Sequence, residues 1–213
     1  LTQGQRAYRP SINTGSEVGI KLSPVPGTEA RLAAWRQDAT DEVANMPATG
    51  TSIGLGRTRR QGLDMQISSR LGEHWSLWAS HAIQEAKVVS AYTTSGVSLE
   101  GKEVMSTPRY ISNLGLDYQW NERLRLGLQA RMQGDYYIEE LNAKGKYGGF
   151  KVLDVNVSYQ ISERLSVDLQ IKNLADRQYE YVWYDNFFWG GDDQAMFSAA
   201  PGRSAYLSMN FRI

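Results

Sequence analysis

The densest group of residues able to make specific contacts in this chain is aromatic. Between 176 and 201 stand Tyr179, Tyr181, Trp183, Tyr184, Phe187, Phe188 and Trp189. That is too many large rings for an idle surface loop. Rings supply rigid contact area, and they stack on flat or catechol-like ligands and on cations. The competing account puts half of them in a membrane-interface girdle or in strand extensions above a membrane. Other candidates are weaker. Asp192-Asp193 suits a cation, but a solvated loop explains the pair with fewer assumptions, and Glu139-Glu140 reads the same way. His74 sits in a tight turn and His81 on a strand face, and neither has metal-ligand spacing to another His or Cys. The Gly-rich pieces at 54–56 and 148–149 are followed by no helix that would offer amides to a phosphate. With no cysteine, thiol chemistry and disulfide frameworks drop out. The expectation is no enzyme and no bound cofactor.

The elements that position the rings read as strands. Side chains alternate along a strand, and the chain alternates repeatedly. Val18, Ile20 and Leu22 oppose Glu17, Gly19 and Lys21, and 1–16 reads as loop. A second strand runs over about 28–38, with facing left open because both Leu32 and Trp35 fall in it; 41–50 reads as its extension or as loop. Leu63, Met65, Ile67 and Leu71 alternate with Asp64, Gln66, Ser68 and Arg70, and Trp75, Leu77, Ala79, His81 and Ile83 form the matching return face. Leu114, Leu116 and Tyr118 follow, then Leu124, Leu126, Leu128, Ala130 and Met132 against Arg123, Arg125, Gln129, Arg131 and Gln133. Leu153, Val155, Val157 and Tyr159 precede Leu165, Val167, Leu169 and Ile171. In the last strand Ala205, Leu207, Met209, Phe211 and Ile213 oppose Ser204, Tyr206, Ser208, Asn210 and Arg212. The total is about nine strands.

Short and long connections take turns. Tight turns fall at 24–27, 72–74, 120–123 and 162–164, and long connections at about 39–57, 89–107, 139–150 and 176–201. An up-and-down meander would put all the short turns on one rim, as outer-membrane barrels do. The polar face of each strand carries Arg, Asp, Gln and Asn, which a closed soluble core could not bury without partners. A water-filled or plugged lumen could hold them. Tyr118, Trp120 and Tyr159 sit at strand ends by the short turns, as an interface girdle would. Formal net charge is +0, so no basic footprint argues for nucleic acid. No apolar run approaches the roughly 20 residues of a membrane helix. Mean hydropathy of −0.46 is compatible with a transmembrane barrel, because its apolar residues are alternate ones.

The end of the chain resembles a known family. Asn173-Leu174-Ala175-Asp176-Arg177-Gln178-Tyr179, then Pro201-Gly202-Arg203 and an alternating last strand, look like the end of a TonB-dependent outer-membrane receptor. The usual pattern is N-L-F-D-x-x-Y, then P-G-R and a strand ending in an aromatic; here Ala175 stands for the Phe, and Ile213 ends the strand with Phe211 two residues before it. Arg60-Gln61-Gly62-Leu63-Asp64 resembles the family's R-x-x-G-x-E/D strand entry. The resemblance implies a 22-stranded barrel with a plug. At about ten residues per crossing plus loops, 213 residues supply well under half of it. Leu1 opens the chain without a charged, apolar leader, so a processed or truncated start is expected. Residues 1–213 are therefore expected to be the C-terminal portion of such a barrel, all-β and antiparallel, with plug and first strands lying outside it.

The implied function is active uptake of a scarce nutrient across the bacterial outer membrane, a ferric siderophore first; cobalamin, haem or a carbohydrate are the other options. The implied partners are that ligand, outer-membrane lipid, and TonB through a segment N-terminal to these residues. The chelator would hold the iron, so no protein metal site is expected. The rival readings are a small self-contained outer-membrane barrel of porin or adhesin type, and a soluble β-rich binding module. The receptor reading expects an open, curved sheet edged by strands 17–23 and 203–213. In it Leu124, Leu126, Leu128, Leu165, Val167, Leu169, Leu207 and Met209 face lipid, and Arg125, Arg131, Asp154, Asn156, Asp168 and Arg212 face the lumen.

Overall fold

A computed structural model describes residues 10–46, 51–93, 95–185 and 194–212. The nine strands of the wall are β1 (Ile12–Leu22), β2 (Thr28–Met46), β3 (Thr51–Leu71), β4 (Trp75–Ser90), β5 (Tyr110–Gln119), β6 (Leu124–Gln133), β9 (Phe150–Ser162), β10 (Leu165–Lys172) and β13 (Ser204–Phe211). Two ribbons stand outside it. One is β7 (Tyr136–Tyr137) with β8 (Lys146–Tyr147); the other is β11 (Glu180–Asp185) with β12 (Gln194–Ala199). The wall is one antiparallel sheet in the order β1-β2-β3-β4-β5-β6-β9-β10-β13. Every short turn therefore lies at one end and every long connection at the other, as the meander expects.

Local chemistry sets the short turns. Gly27 and Gly72 take left-handed φ of 78° and 64°, which a side chain would resist. Asn121 Oδ1 accepts from the amides of Arg123 and Leu124 at 2.9 Å each, an Asx turn that reverses the chain.

The register fixes the two faces. Leu22, Ala30, Ile67, Ala79, Leu114, Ala130 and Leu153 are successive partners in one row across seven strands. Glu29, Ser68, Trp78, Gly115, Gln129 and Asp154 form a row on the opposite face. The expected lipid and lumen sets fall on opposite faces accordingly. Large side chains of the apolar face remain exposed, Val18 at 74% and Met209 at 71%. Such a surface suits hydrocarbon and not water.

The register also settles the second strand. Leu32 belongs to the apolar face, and Trp35 lies inside, opposite Gly62. A Cβ on Gly62 would come 2.9 Å from the Trp35 ring, and one on Gly115 would come 2.1 Å from Trp78. These glycines leave the space that the two indoles fill.

Three expectations are corrected. The strand read as 17–23 begins at Ile12, inside the stretch read as loop. The connection at 39–57 is mostly the arms of a long hairpin, since β2 runs to Met46 and β3 starts at Thr51. Gly62 and its neighbours consequently sit within β3 and do not open it. The cause is common to all three: beyond the apolar band both faces are polar, so alternation of hydrophobicity vanishes while backbone pairing continues. Among the described residues β1 and β13 pair on one side only and not with each other. The sheet is open as expected, and a self-contained barrel, which needs that pairing, is not formed.

Candidate functional site

A layer of small structures covers the rim of long connections. The segment after β4 folds back: Val88 donates to Lys102 O and Gly101 to Val88 O, both at 2.9 Å. Leu99 and Val104 are thereby buried with Leu55, Ala86 and Val88. A bulge in β2 turns Glu42 to the inner wall, with Asp41 at φ 53°. There Glu42 takes both Nη atoms of Arg60, at 2.6 and 2.8 Å, and Thr58 Oγ1 as well.

The segment between β6 and β9 is held by its own polar groups. Glu139, read from sequence as a solvated acid, is 7% exposed and accepts from the amides of Leu141, Ala143 and Lys144. It caps its own turn. Asn142 accepts from Glu103 N at 2.7 Å and donates to Glu103 O at 3.0 Å, while Lys146 Nζ reaches Glu103 Oε2 at 2.8 Å. These bonds tie the two loops together. Burial, and then the charge of Glu139, pushes the Glu140 carboxyl above its ordinary value.

The residues of the C-terminal motif act structurally. Asn173 is 3% exposed at φ 51°. Its Nδ2 donates to Arg177 O at 2.8 Å and Pro201 O at 3.4 Å, and its Oδ1 accepts from Arg177 N at 2.9 Å. Asp154 Oδ1 accepts from Asn173 N at 2.8 Å, while Arg131 Nη2 lies 3.3 Å from Asp154 Oδ2. Asp176 Oδ1 accepts from Arg203 N at 2.8 Å. Both ends of the aromatic segment are thus fastened where β10 ends and β13 begins.

The hairpin β11–β12 rises from that base. Tyr136 is its second fastening, through a hydroxyl that donates to Val182 O at 3.1 Å and accepts from Val182 N at 3.4 Å. Gly148, at φ 76°, makes room for the Tyr136 ring, which a Cβ there would approach to 2.3 Å.

Of the sequence candidates, Tyr179 and Tyr181 are brought together, with ring centroids 6.2 Å apart and edge to face. Tyr179 also packs on Phe150 at 4.8 Å. The backbones of Trp183 and Tyr184 pair in β11 with Met196 and Ala195. Phe187, Phe188 and Trp189, like Asp192-Asp193, lie outside the described residues. Sequence reasoning missed Phe150 and Tyr136, which sit at strand ends where no local pattern marks them; it set Asp154 toward the lumen but not its bond to Asn173 N.

Tyr179, Phe150, Tyr110, Gln133, Lys151 and Arg177 line an open recess of about 530 Å³. Asp135 lines it too, and by register Tyr110 and Lys151 stand on the outer face, as partners of Ile83 and Met132, while Gln133 and Phe150 stand on the inner one. The recess therefore straddles the end of the wall, and its rings with the Arg177 guanidinium suit a flat ligand. Among the described residues no group of three or more His, Cys, Asp or Glu could hold a metal ion. His81 Nδ1 lies 2.6 Å from Ser112 Oγ on the outer face.

Residues 1–174 match a family model described as TonB dependent receptor-like, beta-barrel. The probable TonB-dependent receptor BfrD of Bordetella pertussis is 24% identical over 94% of this chain and 27% of its own length. The metal-pseudopaline receptor CntO of Pseudomonas aeruginosa is 23% identical over 98% of the chain and 28% of its own. The crystal structure of the ferric yersiniabactin uptake receptor FyuA from Yersinia pestis superimposes with a TM-score of 0.76 at 18% identity, over 94% of this chain and 30% of that one. The chain thus spans little more than a quarter of the length of these curated relatives.

Proposed function

Because the chain belongs to the TonB-dependent receptor-like β-barrel family, we propose that its sheet is part of the wall of a receptor that actively imports a scarce nutrient, a ferric siderophore before any other, with energy drawn through TonB. Its place is the bacterial outer membrane, with the apolar rows against lipid and the polar rows toward the lumen. The observation that carries the reading is the recess at the long-loop rim, where Tyr179 packs on Phe150 beside Arg177. Two relatives lend support through what their names say they take, metal-pseudopaline for CntO and ferric yersiniabactin for FyuA.

In this reading Tyr179 and Tyr181, with Phe150 and Arg177, contact the chelate from the lumen's outer mouth. Trp183, Tyr184, Phe187, Phe188 and Trp189 are proposed as further ligand contacts on the sequence alone. The chelator carries the metal, so iron is cargo. Residues 1–213 form the C-terminal portion of the receptor; its other strands cover the free edges of β1 and β13. The protein transports and does not catalyse.

Growth on single ferric chelates as the sole iron source tests this. Deleting the parent gene should abolish growth on one chelate, and the wild-type gene should restore it. Tyr179→Ala with Phe150→Ala should restore it poorly, with uptake down roughly tenfold or more if these rings anchor the ligand. Undiminished growth of the deletion strain on every chelate overturns iron uptake. Full rescue by the double variant overturns the ring site alone.

A further inference from the structure

The outer face changes chemistry abruptly along β1 to β4. Val18, Ala34, Leu63 and Ile83 are mutual register partners and form its last apolar row. The next row toward the long loops is Ser16, Arg36, Gln61 and Glu85, and the one beyond is Thr14, Asp38, Arg59 and Lys87. Three cations here meet two carboxylates. Asp38 stands between two guanidinium groups and takes the Nε of each, Arg36 at 2.9 Å and Arg59 at 2.7 Å. Among the described residues the terminal nitrogens of both make no hydrogen bond. Lys87, beside Arg59 in register, lies 2.6 Å from Glu85.

A guanidinium held at Nε has its plane fixed and its two terminal nitrogens open, a fork that matches phosphate oxygens. The position matters as much. In outer-membrane barrels the long loops are external, so these rows lie where hydrocarbon gives way to external headgroups. We propose that Arg36, Arg59 and Lys87 dock the phosphate of an outer-leaflet lipid headgroup, with Asp38 as the brace that aims the two guanidinium groups. The acyl chains of the same lipid lie on Val18, Ala34, Leu63 and Ile83. Adjacent rows on one face are about 7 Å apart, so one amphiphile reaches both. A free phosphate would gain only the polar half.

The test uses the full-length receptor in neutral detergent, titrated with a short-chain bis-phosphorylated glucosamine disaccharide lipid. Bound copies are read by native mass spectrometry, with inorganic phosphate in a parallel arm. Folding of each variant is checked first by heat-modifiable migration. Replacing all three cations, R36Q with R59Q and K87Q, should lower apparent affinity roughly a hundredfold. R59K keeps the charge and loses the fork, so it should weaken binding several-fold in a barrel with its charge intact. D38N should also weaken binding, although it makes the patch more positive. Wild-type affinity in the triple variant or in R59K overturns the proposal. So does tighter binding by D38N, or displacement of the lipid by an equal concentration of inorganic phosphate.

Discussion

Replacing Asn173 should release the base of the aromatic segment, and the structure gives the size of the effect. Its side chain makes two sound hydrogen bonds, at 2.8 and 2.9 Å, and one long one at 3.4 Å, from a site 3% exposed. At about 1 kcal/mol net for each sound bond, alanine loses about 2 kcal/mol. The left-handed φ of 51° adds about 1 kcal/mol for any residue with a Cβ that lacks asparagine's local hydrogen bonding. Asn173→Ala should therefore cost about 3 kcal/mol and Asn173→Gly about 2, because glycine relieves the backbone but restores no bond. The assay is a urea refolding titration of the full-length receptor in vesicles, paired with limited proteolysis across 176–201. The proteolysis catches local opening that leaves the barrel intact. Asn173→Ala within about 0.5 kcal/mol of wild type and without new cleavage would refute the fastening. A glycine variant less stable than the alanine variant would refute the backbone part.

Two further outcomes follow from facing and burial. Leu128→Arg, on the apolar face midway between Leu124 and Met132, should cost about 2–4 kcal/mol in the same titration. Gln129→Arg, on the inner face opposite Asp154, should cost far less, and equal costs would reverse the facing. Glu140 titrates above its ordinary value because of burial first and Glu139 second. The folded loop then binds the proton more tightly than the unfolded one, so the burial penalty is absent below the unfolded pKa and complete above the raised one. Amide exchange across 138–147, corrected for intrinsic rate, should quicken as pH rises through that window. Glu140→Gln should flatten the profile, and a profile unchanged by the substitution would count against the assignment.

The wall was legible because hydrocarbon on one side and water on the other force period-2 alternation. Leu124 to Met132 and Leu165 to Ile171 show it without ambiguity, and both sets lie on the apolar face. Legibility stopped where that contrast ends. Residues 41–46 and 51–60 pair as strands above the apolar band, where Glu42 faces inward and Arg59 outward with equal polarity. The Ala-rich run at 30–35 left two facings open, and the pairing register, which sets Leu32 against Met65 and Trp35 against Gly62, decides between them. At the candidate site the sequence displayed the rings but not their neighbours. Phe150 and Tyr136 fall between the alternating runs and carry no pattern of their own, until the fold brings them to Tyr179 and Val182. Glu139 looked solvated because its partners are backbone amides two to five residues on, which a charge count does not register.

The C-terminal motif that resembles the family's proves to be the mounting of the candidate site. Asn173 and Asp176 bind backbone groups of Arg177, Pro201 and Arg203, so they close the base of the aromatic segment. Tyr136 fastens the same segment farther up, at both polar atoms of Val182. A hairpin held at base and flank has less freedom to lose when a ligand arrives, and each side chain already ordered spares about 0.5–1.5 kcal/mol of binding cost. The polar residues of the segment therefore act on affinity through order, and the rings through contact. Substitutions at Asn173 or Tyr136 should weaken every chelate the receptor accepts by a similar factor. Substitutions at Tyr179 or Phe150 should discriminate among chelates by shape. Competition uptake with two chelates of different outline separates the two behaviours: an Asn173 variant that changes the preference between them would place that residue in contact with ligand, against the geometry described here.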